Sequence, residues 1–249
     1  MSDRVDIAAF GAWLFDMDGV LTKTAEVHAE AWKQAFDGFL DEEAARTGKS
    51  FAPFDPVGDY ERYVDGEPRS DGVRNFLAAR GIELAEGTGD DRNDARTVRG
   101  VGNRKNELLL AVLETKGVAV YEGALSLLKA LRALETPVAV VSASENTAAA
   151  LQAGGIADLF DARVDGHVVT ERHLRGKPAP DSFLEAARVL GVEPGAAVVV
   201  EDALAGVEAG RAGHFGLVVG VDHHDHAEEL RSHGADVVVT DLGQLLGSS

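Results

Sequence analysis

Cysteine is absent from all 249 residues. Disulfide cross-links and thiolate metal sites are therefore excluded, and the fold must be held by its core alone. That absence suits a reducing compartment, and the expected location is the cytoplasm. No apolar run is long enough to cross a bilayer. The opening stretch MSDRVDIAAFGAW lacks the basic start and long apolar core of a secretory signal. Basic residues are scarce: 24 Lys and Arg stand against 42 Asp and Glu, a net charge of −18. A field of that sign repels nucleic acid and anionic membranes, so neither is expected as a partner. It also repels phosphorylated molecules, so any phosphate site must be locally basic. No G-x-x-x-x-G-K-[ST] segment occurs, which excludes a P-loop enzyme. Internal repeats and low-complexity tracts are also missing. What is present is ordinary for a globular protein: 45% hydrophobic and 27% charged residues, enough for one large domain or two modest ones.

Five apolar runs read as buried strands: 12–15 (AWLF), 137–142 (PVAVVS), 196–202 (AAVVVED), 215–221 (FGLVVGV) and 235–241 (ADVVVTD). They do not alternate, which suggests cover on both faces. Helical patterns lie between them, at 124–134, 146–155, 181–191 and 205–213. The fold class expected is α/β, a doubly wound parallel-sheet (Rossmann-like) core. Residues 25–117 break the rhythm. They read as three helices, at 24–46, 70–81 and 103–117, with polar loops and no clear strand. The expected organisation is a core domain from 1–24 and 118–249 with a helical cap domain, 25–117, inserted after the first strand.

The segment FDMDGV places Asp16 and Asp18 at the end of the first strand with Gly19 directly behind. A calcium loop needs a third oxygen ligand before its glycine, so that reading fails. A plain turn would also use Asp and Gly. A carboxylate at a strand end can attack phosphorus and form a covalent intermediate, while a second one moves protons. Glycine leaves backbone N–H groups free to approach a phosphoryl oxygen. Such chemistry further needs a hydroxyl donor, a lysine for the developing charge, and acid to hold magnesium, a hard cation that prefers oxygen. Ser142, Lys177 and the pair Glu201–Asp202 supply these in order, three of the four pieces at strand ends. Taken singly, Ser142 would be a turn or cap residue and Lys177 a surface lysine.

As an ordered set, D-x-D-G-V, the strand-ending Ser, the Lys of GKPAPD and VVVED resemble the haloacid dehalogenase-like phosphotransferases. The resemblance implies that Asp16 is the nucleophile and Asp18 the general acid and base. It implies magnesium (Mg2+) held by Asp16, the Asp18 carbonyl and Asp202, with Glu201 in or beside the shell. Phosphoryl binding falls to Ser142, Ala143 and Lys177. DGVLTKTAEVHAEAW, SASEN, RKN (104–106) and VYEG (120–123) are more narrowly similar to the β-phosphoglucomutase family. That likeness implies a sugar phosphate substrate with a bisphosphate intermediate; the expected enzyme is a monomer. It places Thr24, His28, Trp32, Arg69, Lys105, Ser144 and Asn146 at the substrate. His28 would couple the cap to Asp18, Lys105 would contact the sugar, and Arg69, Ser144 and Asn146 would hold the second phosphate. A fork of donors suits Arg69 to that task. Read without the likeness, Arg69 and Lys105 would be solvated helix-face residues, His28 a surface or packing histidine, and Trp32 core.

Glu145 departs from the mutase pattern, which has Lys there. A phosphatase on a small phosphorylated metabolite would use the same core residues, with water as the acceptor. A phosphorylated receiver module needs neither Asp18 nor a cap. The histidine-rich stretch 221–229 lacks the spacing of ligands on one helical face and reads as a loop or helix start.

Overall fold

The computed structural model describes residues 5–64, 67–223 and 225–247. The chain divides into two compact units: Met1–Thr24 with Val118–Ser249, and Ala25–Gly117.

The first unit is built on a sheet of six parallel strands among the described residues: β1 (Ala12–Asp16), β2 (Val138–Val141), β3 (Ala162–Val164), β4 (Ala197–Glu201), β5 (Leu217–Val221) and β6 (Val237–Val239). Their order is β3-β2-β1-β4-β5-β6. β1 and β4 are buried along all five residues, as expected of strands covered on both faces. Burying a side chain the size of Leu14 or Phe15 stabilises by about 1.5–3 kcal/mol. Helices Glu122–Ala133, Thr147–Ala153, Asp181–Leu190 and Leu204–Ala212 follow the apolar periodicity of the sequence. In Asp181–Leu190, Phe183, Ala186 and Ala187 pack on Leu14, Val141 and Val199. Gly191 ends that helix in the left-handed conformation, where glycine carries no Cβ penalty.

Register puts Asp16, Ser142 and Glu201 together at the C-terminal ends of the sheet's central strands. Asp16 pairs with Val141, and Phe15 pairs with Val200. Ser142 and Glu201 are therefore the next residues along the strands flanking Asp16. Ligand sites on open parallel sheets lie at this end of the strands, where the order reverses.

The second unit holds α1 (Thr24–Thr47), α2 (Gly58–Tyr63), α3 (Arg69–Ala78) and α4 (Val98–Lys116). Its core gathers Trp32, Phe36, Phe39 and Leu40 of α1 with Phe54, Phe76 and Val101. The rings of Phe36 and Phe76 stack with centroids 3.8 Å apart. The guanidinium of Arg80 lies 3.7 Å from the Phe76 centroid and pairs with Asp59 at 2.7 Å.

Three features were not expected from the sequence. β3 is a short edge strand, only partly buried and interrupted by Arg163, so it has no apolar run to read. The short helices α2 and Gly166–Glu171 were also unforeseen, whereas Ala227–His233 begins inside the stretch read as a loop or helix start. α4 begins five residues before the expected start at 103, because the Thr97 hydroxyl caps it by accepting from Gly100 N–H at 3.0 Å. Among the described residues, no helix is long and apolar enough to cross a membrane.

Candidate active site

β1 delivers Asp16, and a tight turn follows at once. Gly19 N–H donates to Thr22 O at 3.0 Å, and the N–H groups of Leu21 and Thr22 donate to Met17 O at 2.9 and 3.0 Å. Gly19 takes φ +79°, a conformation open to glycine and costly for a side chain. A Cβ at Gly19 would also collide with the carboxylate of Asp202. The turn brings Asp18 back within reach of the Thr24 hydroxyl, which donates to its carboxylate.

Lys177 lies in the loop before helix Asp181–Leu190 and ion-pairs with both Asp16 and Glu201. Burial pushes the ammonium down, but the two carboxylates outweigh it and hold Lys177 above its usual range. Glu201 accepts from the backbone N–H groups of Asp202 and Ala203, both at 3.1 Å. Burial raises Glu201, with Asp16 adding to the rise and Lys177 opposing it. Asp202 is pushed up to about 8, by burial first and then by the charges of Glu201 and Asp16.

One oxygen each from Asp16, Glu201 and Asp202 lies within 4.8 Å of the others. Three carboxylates gather here around one ammonium, which pairs with two of them, Asp16 and Glu201, and the charges of those two add to the burial that raises Asp202. An all-oxygen donor set with uncompensated charge fits a hard divalent cation.

Beyond β2, Ser142 is buried, and its N–H donates to Val164 O at 2.9 Å. Its hydroxyl oxygen accepts from Ser144 N–H at 3.1 Å, which leaves the hydroxyl proton to donate elsewhere. Ser144 Oγ accepts from Asn146 N–H at 3.2 Å, and Ser144 O accepts from the Thr147 hydroxyl at 2.8 Å. Ala143 and Glu145 are exposed on this loop.

The second unit assembles its own group. Lys105 of α4 is buried, with Nζ 3.2 Å from His28 Nδ1 and 5.1 Å from the Trp32 ring centroid. His28 is lowered to about 3 by burial, then by the charges of Lys105 and Arg69. The imidazole is thus neutral at pH 7, and beside an ammonium its Nδ1 accepts, which leaves the proton on Nε2. Trp32 is core, stacked on Phe36 at 4.8 Å. Arg69 begins α3 and is partly buried. Lys105 is thus not on a solvated helix face.

In the stretch 221–229, the carboxylate of buried Asp222 accepts from His226 N–H at 3.1 Å, a loop that leads into helix Ala227–His233. His224 lies outside the described residues. One contact the sequence did not signal is His223, whose Nε2 sits 2.7 Å from Gly19 O in the Asp18 turn.

The chain as a whole is similar to known proteins. The model of the haloacid dehalogenase-like hydrolase family matches residues 11–214. A β-phosphoglucomutase of Mycobacterium tuberculosis is 54% identical over 238 residues, covering 94% of this chain and 91% of that one. Hexitol phosphatase A of Escherichia coli is 30% identical over 235 residues, covering 94% and 92%. The crystal structure of a Clostridium difficile β-phosphoglucomutase superimposes with a TM-score of 0.67 at 25% identity, over 95% of this chain and 93% of that one. The family model spans most of the chain and these relatives match more than nine-tenths of it: the chain belongs to the haloacid dehalogenase-like hydrolase family, among its β-phosphoglucomutase-like members.

Proposed function

We propose that the protein is a magnesium-dependent phosphosugar mutase that converts β-D-glucose 1-phosphate to glucose 6-phosphate through a phosphorylated Asp16. The observation that carries this reading is the placement of Asp16 and Asp18. The first is buried against Lys177, and the second is held on a separate turn by Thr24. One carboxylate is set to bond phosphorus and the other to handle protons, as a group transfer between two oxygens requires. The 54% identity to a β-phosphoglucomutase supports the choice of substrate.

The phosphoryl on Asp16 passes to the C6 hydroxyl of β-glucose 1-phosphate, and Asp18 takes the hydroxyl proton. The resulting 1,6-bisphosphate turns round and gives its C1 phosphoryl to an Asp16 oxygen. The C1 oxygen leaves with the proton that Asp18 returns. Lys177 and Ser142, with the N–H of Ala143, stabilise charge on the transferring group. Magnesium would be held by Asp16, Asp202 and the Asp18 carbonyl with Glu201 beside them, and it offsets repulsion between carboxylate and phosphoryl. We assign Arg69, Lys105, His28 and Trp32 of the helical unit, with Ser144 and Asn146, to the sugar and its other phosphate. The helical unit is the cap in this reading and the sheet unit the phosphotransferase core. The same reading has the enzyme working as a cytoplasmic monomer without nucleic-acid or membrane partners; the charge of −18 supports the absence of such anionic partners.

Exposed Glu145 and the likeness to a hexitol phosphatase favour one alternative, hydrolysis of a small sugar phosphate. An assay with magnesium, β-glucose 1-phosphate and a trace of glucose 1,6-bisphosphate separates the two by reading glucose 6-phosphate and free phosphate together. Glucose 6-phosphate in excess supports the mutase, and Arg69→Ala then abolishes it while hydrolysis of p-nitrophenyl phosphate survives. Free phosphate alone makes the protein a phosphatase.

A further inference from the structure

Gly19 has no Cβ and visits either hand of backbone conformation readily, so the peptide after Asp18 needs outside restraint. Its N–H is held by Thr22 O at 3.0 Å. Its carbonyl lies 2.7 Å from Nε2 of His223, more than two hundred residues away in the chain. A carbonyl only accepts, so Nε2 carries the proton and donates. The imidazole is itself fixed. It stacks on Tyr121 with centroids 4.8 Å apart and planes 13° from parallel. Tyr121 N–H donates to Leu21 O at 3.0 Å, and Lys23 N–H donates to Ala119 O at 2.9 Å. These are the segments by which the chain leaves the sheet unit and returns to it. On the other side, Asp222 N–H donates to Val239 O at 2.8 Å, anchoring the exit from β5.

We propose that His223 is a positioning residue for Asp18: its Nε2–H pins the Gly19 carbonyl and so fixes the turn that presents the proton-carrying carboxylate. The inference rests on the reading of Asp18 as general acid and base. The chain thereby uses one ring to tie the exit of β5 to the catalytic turn and to the return segment at Tyr121.

Two variants separate donor from packing. His223→Phe keeps a ring against Tyr121 and removes the donor, whereas His223→Gln restores an N–H. The expected loss in His223→Phe is about three- to tenfold in kcat, the effect of one hydrogen bond, with KM unchanged. His223→Gln recovers most of it. Amide hydrogen exchange at Leu21 and Thr22 speeds up in His223→Phe and slows again in His223→Gln. Equal losses in both variants, or wild-type kcat and exchange in His223→Phe, overturn the proposal. The exchange arm needs no substrate. Should wild-type protein leave β-glucose 1-phosphate untouched, the function fails while exchange still decides the role of His223: faster in Phe and restored in Gln upholds it, unchanged refutes it.

Discussion

Replacing Lys177 with methionine keeps the side chain's length and deletes its charge. The ammonium serves two carboxylates, and its side chain is 21% exposed against 1% for Glu201. Removing one partner of a buried pair costs about 3–5 kcal/mol, and the partial exposure of Lys177 and Asp16 places this case near 3. For a chain of this size that is a fall in melting temperature of roughly 6–12 °C. The loss should depend on pH. Asp202 is raised to about 8 when folded, whereas an unfolded aspartate titrates near 4. Between those values the folded state binds more protons, so this group's contribution to stability is complete at acid pH and is lost as pH rises through 8. Lys177 opposes the rise of both Glu201 and Asp202, so deleting it steepens the decline. Urea titrations in chelator should therefore show a larger deficit for Lys177→Met at alkaline than at acid pH. Turnover should fall about 100- to 1000-fold, as for loss of a preorganised charge donor. An equal deficit at both pH values, or wild-type turnover, would refute the electrostatic account.

Two further outcomes follow from the same cluster. In Gly206→Ala, the new Cβ would collide with the Glu201 carboxylate. Magnesium affinity should drop and stability should fall by about 1–3 kcal/mol, and unchanged magnesium titration would show that Glu201 stands apart from the ion. Magnesium binding at pH 7 should release protons, because Asp202 titrates near 8 before the cation arrives. Calorimetry in buffers of different ionisation enthalpy should give different heats, with affinity weakening towards pH 6; identical heats would mean the carboxylates were already ionised.

The gathering of Asp16, Ser142 and Glu201 at one end of the strands was legible because each of the three ends an apolar run. Asp16, Ser142 and Glu201 follow Phe15, Val141 and Val200, and parallel register makes those neighbours. β3 was illegible because an edge strand need not be apolar on both faces, and Ala-Arg-Val carries no pattern. The helical unit was half legible. Trp32 and Phe36 repeat at helical spacing and form its core. Lys105 gave no sign of burial, since a lysine on an amphipathic helix ordinarily reaches solvent. Its burial depends on His28, 77 residues earlier, and no local pattern encodes that pairing. His223 drew notice only within a histidine-rich stretch, where the pattern suggested a loop or helix start and not a ring set against a distant glycine.

The two glycines nearest the acids explain a further part of the site. Asp202 lies where a Cβ of Gly19 would be, and Glu201 lies where a Cβ of Gly206 would be. Both carboxylates of the β4 end are therefore packed directly against backbone. Close packing of this kind shields Glu201 from water fully and Asp202 in part, and burial is the leading cause of the rise in each. It also restricts how far either can swing from Asp16, which keeps one oxygen from each within the 4.8 Å cluster. The tightness that makes the acids reluctant to ionise alone is thus what assembles them. A carboxylate pair with room to relax would hold its charge more easily and present a looser donor set. The crowding of the cluster follows from two absent side chains as much as from the carboxylates themselves.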